Sequence, residues 1–297
     1  MIEDSALILK RAFDKGEKID VSRAKEMLDK SELINRLLIE PKQDLNLFVG
    51  IRALEWRLIE LSEIPLIDKL EKVQDWIKIL IDKTYTPEGF SLTGNRNGLL
   101  ACHNAMITSV LIKVGFKEKE KIETGIYWII KYQNVERGLN CNWTGLDLNT
   151  RFGGCMKSTP CFYGVVKSMI SLTEYKKRFG GSVELDNKLK KGLEYILEHR
   201  VFKKLSSDKP IEPSIVENFY PYSYKSNLIE VLSLLKANNL LSDNRCAEAL
   251  EILRHKQRKD GFWQADVSHM KSAWIDFDTL KKPGLWISYI LSGLINN

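Results

Sequence analysis

Gln257-Arg-Lys-Asp-Gly-Phe-Trp-Gln264 ends one helix-like run and turns the chain toward another. Two other stretches do the same: Thr86-Pro-Glu-Gly-Phe-Ser-Leu92 and Gln133-Asn-Val-Glu-Arg-Gly-Leu-Asn-Cys141. Each sets a glycine where a helix must stop, because only glycine takes a left-handed conformation without strain, and the residue after it can fold back over the turn. The glutamines at 133 and 257 stand at the preceding helix end, where a side-chain amide can satisfy carbonyls that the last turn leaves open. A single such turn reads as an ordinary helix C-cap. Three in register read as a repeat.

Outward from the turns, apolar positions recur with helical period, as in Leu45, Phe48, Val49, Ile51 and Leu54, or Leu228, Val231, Leu232 and Leu235. Alternating strand patterns are nearly absent. Prolines at 65, 87, 160, 210, 213, 221 and 283 fall between periodic runs, where they cost little. The spacing predicts first helices around Trp76, Trp128, Tyr195 and Ile252. Second helices are predicted near 103–115, 162–175, 225–238 and 285–295, with Cys102, Cys161, Tyr224 and Trp286 in one register at their starts. Hairpin repeats bury their apolar faces only by stacking on neighbours, so an all-α solenoid or closed toroid is expected. Residues 1–297 read as one domain, with 1–70 an N-terminal helical hairpin or cap and 71–297 the repeat core.

The 297 residues are 44% hydrophobic, which suffices to fill a core. The net charge of +6 is mild, and lysines such as those of 117–121, interleaved with acids, and those of 188–191 are spaced as on solvated helix faces. No nucleic-acid partner is expected from this pattern. No signal segment is read at the start, no apolar run reaches the roughly 20 residues of a spanning helix, and a cytoplasmic location is expected. Five cysteines without a secretory signal point to reduced thiols rather than a disulfide framework.

The segment Gln257 to Trp263 resembles the Gln-Trp repeat of squalene and oxidosqualene cyclases. More broadly, Trp76 to Leu294 resembles the prenyltransferase and squalene-oxidase repeat proteins. The resemblance rests on Asn140-Cys141 after the second turn, Cys102 and Cys161 opening inner helices, Phe219-Tyr-Pro-Tyr222, and Lys282-Pro283 ahead of Trp286. It covers about three quarters of the chain through short motifs. It implies an α/α toroid with a central cavity that takes an apolar or isoprenoid-like small-molecule ligand.

Three groups of side chains are candidates for chemistry. In a closed array Cys102 and Cys161 lie side by side with Cys141 tethered nearby, and Cys155 shares their loop. Soft thiolates there would suit zinc, or in second place an iron–sulfur centre, with His103 an available imidazole. The same cysteines also read as small buried hydrophobes, and Cys246 is set apart from them. Prenyltransferase β subunits hold zinc with Asp, Cys and His, a triad that cannot be placed residue by residue in this chain.

Trp274-Ile-Asp-Phe-Asp-Thr279 is the second candidate. Class II terpene cyclases protonate an alkene with Asp-x-Asp-Asp, and Asp276 and Asp278 match its first two carboxylates, with Thr279 where the third would stand. The plainer reading has these carboxylates capping the last helix or pairing with Lys281 and Lys282. The third group is aromatic: Trp143, Tyr163, Tyr222, Tyr224, Trp263, Trp274 and Trp286 either line a cavity or fill the core. His199-Arg200 and Lys203-Lys204 follow a helix end, where cations favour the dipole. A non-catalytic scaffold that holds a peptide or protein partner on its concave face competes with the ligand-binding reading.

Overall fold

Side-chain caps set the starts of many helices. Asp4, Asp20, Ser31, Ser182 and Asn227 each accept a hydrogen bond from an amide in the turn they open. The computed structural model describes residues 3–143, 158–268 and 274–295, so Cys155 lies outside the described residues. Among them are α1 (Ser5–Asp14), α2 (Val21–Asp29), α3 (Glu32–Leu37), α4 (Phe48–Ser62), α5 (Glu71–Thr84), α6 (Ala101–Lys113) and α7 (Lys119–Tyr132). The second half holds α8 (Phe162–Phe179), α9 (Val183–Glu198), α10 (Leu228–Ala237), α11 (Ala247–His255) and α12 (Leu285–Ile295). A two-residue hairpin, β1 (Tyr85–Thr86) with β2 (Gly89–Phe90), is the one sheet among the described residues. No described helix is long and apolar enough to cross a membrane.

The expected helices are present. Trp76, Trp128, Tyr195 and Ile252 fall on α5, α7, α9 and α11, and the second helices are α6, α8, α10 and α12. In packing, α4 lies on α6, α6 on α8, α8 on α10, and α10 on α12. The intervening α5, α7, α9 and α11 each pack on the helix before them. The α4–α5 pair joins helices on either side of residue 70, the expected edge of the N-terminal hairpin or cap. The partner of the Trp76 helix is thus α4, and the residues before it supply the three short helices α1 to α3.

Burial separates the two sets of helices. Every residue of α6 from Cys102 to Ile112 is buried, as is every residue of α8 from Phe162 to Met169. A helix buried on all sides normally carries few charges. Yet α4 buries Glu55, Arg57 and Glu60, α8 buries Lys167, and α10 buries Glu230. Each of these has partners: Arg57 donates to Glu60 and to the carbonyls of Leu37 and Ile39, and Lys167 donates to Glu230 and to the Ser223 carbonyl.

The recurring turn is tied to the helix that follows it. Phe90 N–H donates to the Asn104 side chain at 2.9 Å, while the Asn104 amide donates to the Gly125 carbonyl at 3.0 Å. In the last copy, Trp263 N–H donates to Ser288 Oγ at 2.8 Å. Asn104 and Ser288 each stand two residues after the matched starts Cys102 and Trp286, so the same cross-tie closes the first and last copies. Gly89 needs its φ of 154° and leaves no room for a Cβ, which would meet Asn104 Oδ1 at 2.8 Å. Gln133 accepts from Ser168 of α8, and Gln257 donates to Gly261 across its own turn.

Candidate functional site

The register derived from the turns gathers Cys102, Cys161 and Tyr224 around one cavity, joined by Cys141 and Tyr163. The side chains come from the starts of α6 and α8 and the segments leading into α8 and α10. These starts carry apolar or thiol N-caps: Leu100 ahead of α6 and Cys161 ahead of α8 make no side-chain capping bond. The cavity is lined mainly by apolar atoms and leaves about 30 Å³ for the centre of a water-sized sphere. By that measure a water needs roughly 10–15 Å³, so the space suits one or two waters or a branched methyl terminus. At Gly164 a Cβ would sit 3.6 Å from Cys161 Cβ and 3.8 Å from both Ala101 Cβ and Gln133 Oε1, which is ordinary contact.

The thiols differ among themselves. Burial, reinforced by Cys161 and Glu55 nearby, pushes the Cys102 thiol up to about 12. Cys141 is half-buried, its thiol donates to the Tyr132 carbonyl at 3.0 Å, and burial raises its pKa. Cys161 is partly exposed, while Cys246 is buried well away from the cavity and raised to about 11, chiefly by burial. Since the thiolate is the reactive form, Cys141 and Cys161 are expected to alkylate first at pH 8, with Cys102 and Cys246 at least about tenfold slower. Time-resolved iodoacetamide labelling read by peptide mass spectrometry checks this, and equal rates at Cys102 and Cys161 would contradict the arrangement.

His103 is not among the residues that line the cavity. Its Nδ1 lies 2.8 Å from the buried Glu55 carboxylate, and its ring stacks at 6.2 Å on Tyr224, which carries it beneath the cavity wall. Among the described residues no three His, Cys, Asp or Glu side chains gather closely enough to hold a metal ion. Cys102, Cys141 and Cys161 line one space, while the fourth thiol of the expected set, Cys155, lies outside the described residues.

The remaining candidates occupy other places. Asp278 accepts from Trp286 N–H at 3.1 Å and Ile287 N–H at 2.8 Å, so it caps the first turn of α12. Burial raises the Asp278 carboxyl and those amides pull it back down. Asp276 is raised by burial, and its carbonyl accepts from Arg36. Neither aspartate lines the thiol cavity. Trp274 stacks on Trp56, Trp286 packs on Tyr220 and Phe277, and Trp263 donates its indole N–H to the Leu253 carbonyl. All three tryptophans are core. Tyr222 bonds Ser233 and faces a cleft at the other end of the helices. Trp143 packs edge-on against Trp128 and Tyr132.

His199 also proves structural: Nδ1 bonds the Lys203 carbonyl and the ring packs on Phe162 and Tyr195. Lys203 pairs with Asp208 and Glu248. The sequence reading missed Glu55, Lys167, Glu230 and Asn104. Their partners come from other elements of the fold, so their roles show only once the helices are packed. Compared with known proteins, the sequence matches no family model and no curated protein.

Proposed function

We propose that the chain is an α/α toroid that binds an apolar, isoprenoid-like small molecule at the thiol-lined end of its inner helices. The observation that carries this reading is the meeting of Cys102, Cys141, Cys161, Tyr163 and Tyr224 around one apolar cavity, at positions the hairpin register makes equivalent or adjacent. The inner set is α4, α6, α8, α10 and α12, each in contact with the next. Closure is supported by the return of the segment before α12 to α4, through the Trp274–Trp56 stack and the Ile275 N–H bond to Glu60. A further return joins α12 to α1, where Tyr289 donates to Asp14.

The cavity admits the methyl-branched end of such a ligand and leaves the rest along the rim, since whole drug-sized ligands fill roughly 300–1,000 Å³. Gly164 in the first turn of α8 is the lever. Gly164→Leu places a branched side chain in the cavity from a backbone that accepts a Cβ without moving, and Gly164→Ala adds only the methyl. Titration with a fluorescent farnesyl amine is expected to saturate for the wild type. The Leu variant is expected to bind at least about tenfold more weakly, a loss of about 1.4 kcal/mol. Absence of saturable binding, or equal affinity in the Leu variant with an unchanged circular dichroism spectrum, would overturn the reading and favour a protein-binding scaffold.

A further inference from the structure

The opposite ends of the same helices enclose a space of different character. A cleft of about 580 Å³ lies among the ends of α4, α6 and α8, and an adjoining one of about 760 Å³ runs on past α10 and α12. The two share Lys10, Asp14, Glu63 and Tyr222 in their walls, so they form one continuous groove. Its size is that of a small-metabolite site, and its walls mix charged side chains with apolar ones.

The charges of the groove are unevenly matched. Six cations and four carboxylates line its larger-walled part beneath α8. Three of the carboxylates have cationic partners: Asp14 holds Lys10, Glu63 holds Lys113, and Asp68 holds Lys69. Glu174 acts with Glu63 to raise the pKa of Lys113 against the burial that lowers it. Lys117 and Lys177 make no ion pair or side-chain hydrogen bond among the described residues, and Arg178 spends its guanidinium on the carbonyls of Ile112 and Phe116. In the adjoining part, Lys236 likewise donates to a carbonyl, that of Gly293. By contrast, Lys203 and Arg200, the cations singled out in the sequence, both face carboxylates.

We propose that this groove binds a phosphorylated small molecule, with Lys117, Lys177 and Arg178 facing its phosphate groups. The site is independent of the thiol cavity and does not rest on its ligand. Arg178 is fixed by the two carbonyls it caps and presents its charge as part of a fixed wall, while the two lysines supply mobile, fully hydrated ammonium groups that can close on an oligophosphate. The competing role, in which Lys177 and Arg178 merely complement the end of the α8 dipole, accounts for stability and not for anion affinity. Lys117 lies between α6 and α7 and caps neither, so the dipole gives it no role.

Inorganic pyrophosphate is the probe, with orthophosphate and sulfate as further arms, measured by calorimetry at low salt on the full chain. Saturable binding is expected in the order pyrophosphate, orthophosphate, sulfate. The variant Lys117→Glu with Lys177→Glu is expected to weaken pyrophosphate binding at least about tenfold, and Lys18→Glu with Lys259→Glu, which changes net charge equally outside the groove, to leave it within about twofold. Should the double reversal lose its helical spectrum, Lys117→Gln and Lys177→Gln singly carry the test, each with an expected loss of about threefold or more. No saturation by about 10 mM pyrophosphate, an unchanged affinity in the groove variants, or an equal loss in the control pair would overturn the site.

Discussion

Lys167→Ala is expected to destabilise the protein by about 3–5 kcal/mol, because it strands a buried carboxylate among the inner helices. The Lys167 ammonium lies 2.5 and 2.7 Å from the two Glu230 oxygens, and both side chains are nearly inaccessible at 4% and 6%. It also satisfies the Ser223 carbonyl, so one substitution opens three buried acceptor positions. Burial lowers the lysine pKa, which Glu230 opposes. Replacing both partners with apolar residues, Lys167→Met with Glu230→Leu, removes the desolvation cost of each charge. That double variant is expected to recover most of the lost stability. Urea unfolding followed by circular dichroism gives both numbers, and a loss below about 1 kcal/mol in the single variant would mean that the pair is hydrated rather than buried.

Asn104→Ala is expected to cost about 2–3 kcal/mol, the larger part from the Phe90 amide left without an acceptor. The same side chain donates to the Gly125 carbonyl, so its removal also loosens α7 from α6. Asn104→Asp keeps the acceptor for Phe90 and loses only the donor, so a smaller loss is expected. The Gly-aromatic turn of 89–90 is the element that first marks the repeat, and amide hydrogen exchange at Phe90 reports directly on whether Asn104 holds it. Protection of Phe90 equal to that of the wild type would show that another group takes over.

The helices were legible because each carries its own punctuation, whereas the pairing of the Trp76 helix with α4 was not. Gly138 and Gly261 take φ of 84° and 81° where the turns require them, and the start register of the second helices placed Cys102, Cys161 and Tyr224 together. Trp286 shares that register and still points into the core, because α12 meets Phe277 and Tyr220 where the earlier inner helices meet the cavity. Asp278 looked like half of an acid pair, but an aspartate a few residues before a helix is also a cap, and spacing does not separate the two roles. The buried ion pairs were hidden for a related reason. A charge inside an apolar helix reads as an exposed face until the helices that cover it are known, and those lie about fifty residues or more away in the chain, as with Glu55 and His103 or Lys167 and Glu230.

The grooved end was hidden for a third reason. Lys117, Lys177 and Lys236 stand in ordinary helix-end sequences, and only the parallel arrangement of the inner helices brings them to one side of the molecule. The same arrangement sets the thiol cavity at the helix starts, so one architectural feature separates an apolar site from a charged one.

The most direct test of the central proposal is a crystal of the protein grown with a brominated isoprenoid analogue, with the bromine located by anomalous scattering. The account predicts an anomalous peak within contact distance of Cys161 and Tyr224, with the inner helices α4, α6, α8, α10 and α12 closed around a common axis. An ordered analogue bound elsewhere, or inner helices running as an open stack, would contradict it.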